Sequence, residues 1–244
     1  MLAKNKIIIC ILSWFIINSI VAGNGFILFT VLYNETNKQR MQEYISCFER
    51  NNIHPLIDEI HVIYDQTRDD DDNKLLQFLK NKGIPITYVT GRPTYNFCFM
   101  LANNCYSHKK IILSNADIYF NNTLLLLQDY DLTNKFLALT RWNVQKNGKI
   151  ELQHASSRRD NIWSQDSWIF QTPLPSFVND TIKLSTINCD TWVAYYAKNA
   201  GFDVINPCLD IQCCHLHLSQ IRHLGNMPPP KGSGFGVPWT KLKN

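Results

Sequence analysis

Short apolar runs alternate with amphipathic segments through residues 26–140 and predict strands and helices in turn. Runs of this kind are typical of strands that are buried on both faces of a sheet. Five such strands are predicted, at Phe26–Tyr33, Ile60–Tyr64, Ile84–Val89, Ile111–Phe120 and Phe136–Thr140. Helices are predicted between them at Asn37–Asn51, at Leu75–Lys82 and from Pro93 onward, where proline suits the first helical position. The alternating order predicts an α/β fold with a mostly parallel central sheet flanked by helices.

The rest of the chain predicts fewer regular elements. Asp190 suits the N-cap of a helix that runs to Ala200. Asn143–Asn161 is polar and predicts a hairpin or a mobile loop, and residues 226–244 are rich in Pro and Gly and predict a flexible tail. Strand-like pieces are expected at Ser167–Gln171, Val204–Ile205 and Ile211–Leu218.

Length and composition indicate one globular domain, at residues 24–225. The chain has 244 residues, of which 45% are hydrophobic and 18% charged, so it can bury a core. The net charge is only +4, and Lys and Arg are scattered along the chain. No basic face is predicted, which argues against a nucleic-acid partner.

Residues 1–23 have the pattern of a secretory signal peptide. Lys4 and Lys6 precede the apolar run Ile7–Val21, and small residues follow at Ala22-Gly23. An uncleaved signal anchor is the alternative, and contact with a membrane is expected only in that case. The predicted location is the secretory pathway, in the ER or Golgi lumen or outside the cell.

Two further features agree with a secretory route. Three glycosylation sequons begin at Asn34, Asn121 and Asn179. Seven cysteines remain after removal of the signal peptide, and some of them are expected to pair in an oxidising compartment. The connectivity cannot be deduced from spacing.

A motif at the end of the fourth predicted strand suggests cation chemistry. The run Ile111–Leu113 leads into Ser114-Asn115-Ala116-Asp117, and α/β sheets bind ligands at the carboxyl ends of their strands. On an extended chain Asn115 and Asp117 would point to the same side. Their oxygens suit Mg²⁺ or Mn²⁺, which in turn could hold the phosphates of a nucleotide. The alternative is an aspartate that ends a strand in a turn.

Three other polar residues are candidates for binding or catalysis. Asp166 lies two residues before Trp168 and directly after Gln165, and carboxylate, amide and aromatic groups together suit sugar recognition. Asp190 either caps its helix or accepts the proton of an attacking hydroxyl. Arg92 follows the third predicted strand, where it would contact a base or phosphate or pair with a surface carboxylate.

The densest group of metal-ligating residue types is Cys213-Cys214-His215-Leu216-His217. On a strand, Cys213, His215 and His217 would face one way. Imidazole with thiolate suits zinc, whereas one imidazole added to carboxylate oxygens suits manganese. The alternatives are a disulfide at one of the cysteines and an ordinary hydrogen-bonded role for His217.

A series of segments in this order resembles a poorly described family of GT-A-like, Rossmann-related glycosyltransferases. The segments are RPTY, a helix that ends in AN, IILSNADIYF, LTRW, SQDSWIF, NCD, AGF-x-V-x-NP and HLH-x-S. The resemblance covers most of Phe26–Arg222. It implies one α/β domain with a nucleotide-binding half at residues 24–122 and an acceptor-binding half at residues 136–225.

The resemblance also implies roles for particular residues. Asn115 and Asp117 match the acidic metal motif, which usually has the form D-x-D, so this chain has one carboxylate fewer. His217, or failing that His215, matches the late histidine that completes the metal shell in some families. The other roles implied by the resemblance are Asp190 as the base, Asp166 for donor or acceptor hydroxyls, and Thr30 and Asn34 for the nucleotide. We further expect Arg92 to hold the diphosphate together with the metal, and Trp142 and Trp168 to form walls of the sugar site. If Asp190 is not the base, Asp166 is expected to take that role.

The expected activity is therefore transfer of a sugar from a nucleotide-sugar donor to a hydroxyl of a glycan, protein or small molecule, with Mn²⁺ or Mg²⁺. A catalytically inactive, secreted carbohydrate-binding protein on the same fold is one alternative, and Asn115 favours it. A secreted zinc hydrolase built on Cys213, His215 and His217 is another. A disulfide-stapled structural protein is the third, and the regular β-α order argues against it.

Overall fold

A computed structural model describes residues 24–69, 73–153, 162–222 and 234–242. The predicted signal peptide, residues 70–72 and the first part of the predicted tail lie outside these ranges. Within them no helix is long and apolar enough to cross a membrane.

The described residues form eleven strands and four α-helices. The strands are β1 Phe26–Tyr33, β2 Ile57–Asp65, β3 Ile86–Val89, β4 Lys110–Ser114, β5 Ile118–Phe120, β6 Lys135–Leu139, β7 Trp142–Val144, β8 Ile150–Leu152, β9 Ser167–Gln171, β10 Asp203–Ile205 and β11 Cys213–His215. The helices are α1 Lys38–Asn52, α2 Lys74–Asn81, α3 Tyr95–Cys105 and α4 Cys189–Asn199. The third helix begins two residues after Pro93, because Thr94 caps it by accepting a hydrogen bond from the Phe97 amide.

A seven-stranded sheet in the order β10-β6-β9-β4-β1-β2-β3 forms the centre of the fold. Only β9 runs antiparallel to its neighbours, so the predicted mostly parallel α/β sheet is confirmed. Successive residues of β1 contact different cores: Leu28 packs into one and Phe29 into the other. Apolar burial on both faces is the reason that the strands are continuous apolar runs.

A smaller sheet in the order β5-β11-β7-β8 lies beside the first. It corrects the prediction of one strand at Ile111–Phe120. The chain leaves the large sheet after Ser114, turns at Asn115–Asp117 and enters the small sheet as β5. Asn115 and Asp117 consequently do not lie on one extended strand, and their side chains bond to different partners.

Other predictions hold in part. The hairpin predicted within Asn143–Asn161 exists as β7 paired with β8, and residues 154–161 lie outside the described ranges. Only Cys213–His215 of the strand predicted at Ile211–Leu218 forms a strand.

Two predictions for the second half of the chain differ from the structure. Asn188, whose backbone is in the left-handed region, caps α4, and Asp190 lies in the first turn of the helix instead of at the cap. No disulfide joins the described cysteines, contrary to the expected pairing.

The end of the predicted flexible tail packs on the domain. Val237 is buried, and its amide donates to the Ile162 carbonyl at 2.8 Å. The Phe235 amide donates to the Thr191 carbonyl at 3.1 Å. Residues 234–242 are therefore a fixed part of the structure, because their backbone groups are satisfied by the domain.

Candidate active site

A cleft of about 550 Å³ lies at the carboxyl ends of the parallel strands. Its size is in the range of small-molecule sites. The turn after β4 and the segment before β9 form its floor, and the start of α4 forms one wall. Of the residues predicted from the sequence, those that line the cleft are Arg92, Asn115, Asp117, Asp166, Trp168, Asp190, His215 and His217.

Three predicted binding residues do not line this cleft. Thr30 is buried on the other side of β1, because alternate residues of a strand face opposite sides, and Val31 and Tyr33 line the cleft in its place. Asn34 is also buried outside the cleft. The indole N–H of Trp142 donates to a backbone carbonyl at 2.9 Å, outside the cleft lining, so Trp142 does not form its wall.

Asp117, His215 and His217 form a group that could hold a metal ion. One potential ligand atom from each lies within 4.8 Å of the others, and all three residues are buried. The turn after β4 supplies the carboxylate, and pairing of β5 with β11 brings both imidazoles to it. Residues almost a hundred positions apart in the sequence thus meet at one point.

Hydrogen bonds orient both imidazoles toward Asp117. The His217 Nε2 lies 2.8 Å from the Ile221 carbonyl, which can only accept, so Nε2 carries the proton and Nδ1 has the lone pair. The Asn143 Oδ1 accepts from the Arg141 Nε at 3.1 Å and lies 3.2 Å from the His215 Nδ1, so that nitrogen donates as well.

This arrangement fits a divalent cation. In neutral His215 the Nε2 lone pair would lie 2.9 Å from the Asp117 Oδ2, and two acceptors at that distance require a proton or a cation between them. Outer partners that orient ligating histidines in this way are typical of metal sites. Burial lowers the pKa of His217, which keeps this imidazole neutral and able to ligate.

A buried arginine on α1, Arg40, forms a salt bridge with Asp117. The Arg40 Nη2 lies 2.5 Å from the Asp117 Oδ2, and its Nη1 lies 2.8 Å from the Glu43 Oε2. Burial alone would raise the pKa of the Asp117 carboxyl, but His215 and Arg40 hold it well below its ordinary value. Asp117 is therefore ionised at any physiological pH.

A second group of carboxylates lies on the other side of the cleft. The Asp190 Oδ2 accepts from the Gln165 amide at 3.0 Å, and its Oδ1 accepts from the Thr191 amide at 3.1 Å. Burial and the nearby Asp166 carboxylate nevertheless raise the pKa of Asp190 to about 6. A carboxylate with such a pKa is suited to act as a general base near neutral pH.

Asp166 is paired and only partly satisfied. Its Oδ1 accepts from the Arg141 Nη1 at 2.9 Å and from the Asn115 Nδ2 at 3.2 Å. Its buried Oδ2 has no hydrogen-bond partner among the described residues, and the same is true of the Gln165 Oε1 and the Trp168 Nε1. Three unsatisfied polar atoms on neighbouring cleft residues indicate a site for a ligand that can both donate and accept hydrogen bonds.

The structure corrects the zinc alternative. Cys213 belongs to the buried core, and its thiol contacts the Thr140 carbonyl at 3.5 Å. Burial raises its pKa well above the ordinary value, whereas zinc binds the thiolate. The ligand group in the described residues contains Asp117 in the place of Cys213.

Several residues of the cleft are not predicted from the sequence, chiefly Arg40, Arg141 and Trp163. A signal for Arg40 exists: it lies four residues before Tyr44 and eight before Phe48, which places a charged side chain on the buried face of α1. The exposed Trp163 has no comparable signal, because a single aromatic residue in a polar loop indicates little by itself.

The chain matches no protein-family model and no curated protein sequence. It is similar to several solved structures. The crystal structure of GalNAc-T7 with UDP, GalNAc and Mn²⁺ has 11% identity and a TM-score of 0.53, over 85% of this chain and 45% of that one. The fold is GT-A-like.

Two other solved structures have TM-scores of 0.46. One is TarS 1–349 of S. aureus, with 14% identity over 78% of this chain and 57% of that one. The other is the mannosyltransferase PcManGT from Pyrobaculum calidifontis in complex with GDP-Man and Mn²⁺, with 13% identity over 78% of this chain and 56% of that one. The chain thus spans about half the length of each neighbour, and at these identities the likeness concerns the GT-A-like fold alone.

Proposed function

We propose that this protein is a glycosyltransferase that moves a sugar from a nucleotide-sugar donor to an acceptor hydroxyl. One observation carries the proposal: a potential cation site and a carboxylate with the pKa of a general base line the same cleft of a GT-A-like fold. GalNAc-T7, which has the same type of fold, was crystallised with UDP, GalNAc and Mn²⁺.

In this proposal the residues near β4 hold the donor. Asp117, His215 and His217 would hold Mn²⁺ or Mg²⁺, and Arg92 would face the diphosphate from the loop after β3. A cation bound there would offset the negative charge that develops on the leaving diphosphate. The Arg92 loop is positioned by Asp65, at the end of β2, which accepts a hydrogen bond from the Gly91 amide at 2.8 Å.

The residues between β6 and α4 would hold the sugar and the acceptor. Asp166, Gln165 and Trp168 have the unsatisfied acceptors and donor that sugar hydroxyls can pair with. Asp190 would accept the proton of the attacking hydroxyl. The exposed ring of Trp163 offers an apolar face for the CH side of a sugar.

Two measurements test the proposal. Purified protein is incubated with a panel of nucleotide sugars and Mn²⁺, and released nucleoside diphosphate is quantified. Thermal shifts with nucleoside diphosphates, with and without Mn²⁺, report binding independently of turnover. Release that depends on Asp190 supports the transferase, whereas binding without release favours the inactive carbohydrate-binding alternative. Absence of both overturns the proposal.

We also propose that the protein acts in the secretory pathway, on the basis of the pattern in residues 1–23. N-terminal sequencing of the protein secreted by eukaryotic cells tests this. A mature chain that starts near Asn24 supports a cleaved signal peptide, and a cytosolic protein that retains Met1 contradicts it.

A further inference from the structure

The guanidinium of Arg40 is part of the potential cation site. Its Nη2 contacts the Oδ2 of Asp117, the same atom that faces both imidazoles. Arg40 and Asp117 are 6% and 7% exposed, so water screens their charges little. An arginine in this place is an unusual neighbour for a divalent cation, because the two charges repel each other.

The network behind Arg40 holds it in place. Its Nη1 lies 2.8 Å from the Glu43 Oε2, and its Nε donates to the Tyr44 hydroxyl at 3.2 Å. Glu43 in turn accepts from the Ser219 amide at 2.6 Å and from the Ser219 hydroxyl at 2.9 Å. These bonds tie α1 to the segment that follows His217, so the guanidinium is a fixed charge of the site.

The charges of the site decide how strongly it can attract a cation. Asp117 contributes one negative charge and Arg40 one positive charge at the same oxygen atom, and an imidazole that ligates a cation contributes none. The carboxylate of Glu43 is already shared between Arg40 and Ser219. Affinity for a hard divalent cation depends on the negative charge of its ligands, so this group alone should bind one weakly.

We propose that Arg40 makes cation binding depend on the diphosphate. This inference rests on the proposed function and deepens it. Without a diphosphate, Arg40 neutralises Asp117, and the site has low affinity for the cation. The negative oxygens of a bound diphosphate supply the missing charge and also give the guanidinium a second anionic partner. Cation and diphosphate then bind together, and by linkage each raises the affinity for the other by the same factor.

A titration of Mn²⁺ tests this, with free Mn²⁺ followed by its electron paramagnetic resonance signal. Inorganic pyrophosphate is the probe, because it has the diphosphate charge without a base or sugar, and its own Mn²⁺ complex is measured without protein. In the wild type we expect pyrophosphate to tighten Mn²⁺ binding at least about tenfold. In Arg40→Gln we expect Mn²⁺ alone to bind at least about tenfold more tightly than in the wild type. Pyrophosphate should then tighten Mn²⁺ binding by a smaller factor than in the wild type.

Other variants separate charge from damage to the structure. Arg40→Lys keeps the positive charge and should retain the weak binding of Mn²⁺ alone. Glu43→Gln removes the counter-charge of Arg40 and should weaken Mn²⁺ binding further. Its effect on Mn²⁺ affinity is therefore opposite to that of Arg40→Gln. Arg50→Gln, on the same helix and outside the cleft lining, is the matched control and should behave as the wild type. Cooperative thermal unfolding of Arg40→Gln, measured alongside, excludes a damaged site as the cause of tighter binding.

The outcomes distinguish this inference from the proposed function. If Mn²⁺ and pyrophosphate bind the wild type but Arg40→Gln shows the same coupling, the role of Arg40 is refuted and the donor site stands. If pyrophosphate binds without Mn²⁺ and Arg40→Gln abolishes that binding, Arg40 itself holds the diphosphate and the inference is overturned. If the wild type binds neither ligand, the proposed donor site is wrong.

Discussion

Replacement of Asp190 by Asn should raise the stability of this protein near neutral pH and abolish its transferase activity. Burial raises the pKa of Asp190 from 3.8 to about 6, so the folded protein binds a proton there more readily than the unfolded chain does. Its contribution to stability is therefore fully present below pH 3.8 and is lost as the pH rises toward about 6. At about 1.4 kcal/mol for each pKa unit, the loss amounts to at most about 3 kcal/mol, because the carboxyl is partly exposed.

Asparagine does not titrate and can still accept a backbone hydrogen bond through its Oδ1. We therefore expect Asp190→Asn to match the wild type near pH 4 and to gain stability relative to it as the pH rises, by up to about 3 kcal/mol near pH 7. Urea denaturation at a series of pH values measures the difference, provided that the m-value is unchanged. The same variant should lose transferase activity, because the amide cannot take the proton of the acceptor.

Wild-type activity should fall as the pH drops through about 6, where the carboxylate is protonated. The exposed Asp203, changed to Asn, is the matched control and should leave both the activity and the pH dependence of stability as they are. A stability difference between Asp190→Asn and the wild type that is the same at every pH would refute the reasoning. Full activity of Asp190→Asn would refute the assignment of the base.

Three other predictions concern the same cleft. Asp117→Ala should abolish any Mn²⁺-dependent rise in melting temperature with a nucleoside diphosphate, because it removes the one carboxylate of the ligand group found in the described residues. Arg141→Gln should lower the free energy of unfolding in urea by roughly 3 kcal/mol, since it leaves the buried Asp166 carboxylate without its counter-charge. Gly234→Ala should lower kcat in the diphosphate-release assay, because the new Cβ would lie 2.4 Å from the Thr191 Oγ1 and displace the start of α4.

Each of these predictions has a result that would contradict it. An Mn²⁺ response of Asp117→Ala equal to that of the wild type means that the cation binds elsewhere. For Arg141→Gln, a loss no larger than that caused by Arg50→Gln means that the ion pair contributes little. The exposed Lys241, changed to Ala, is the control for Gly234→Ala in the same segment. If Gly234→Ala has the kcat of the wild type, the packing of Gly234 against Thr191 does not affect the site.

The central sheet was predictable because its signals are local. The apolar runs at Phe26–Tyr33 and Phe136–Thr140 form strands close to the predicted bounds, and the parallel order follows from the alternation with helices. The second sheet was not predictable in the same way. The run from Ile111 to Phe120 is apolar on both sides of Asn115–Asp117, and nothing in its pattern shows that it is divided between two sheets.

The candidate site was likewise predictable only in part. Residue types and their order along the chain were enough to select Asp117, Asp166, Asp190 and the two histidines, since carboxylates and imidazoles at strand ends are chemically conspicuous. Two of the predicted binding residues, Thr30 and Trp142, do not line the cleft, because neighbouring strands set which face of a strand looks into it. The sequence by itself thus determined the elements and the chemical candidates. The tertiary structure alone decided that Arg40 faces Asp117 and that burial raises the pKa of Asp190, because charge pairing and desolvation depend on atoms far apart in the chain.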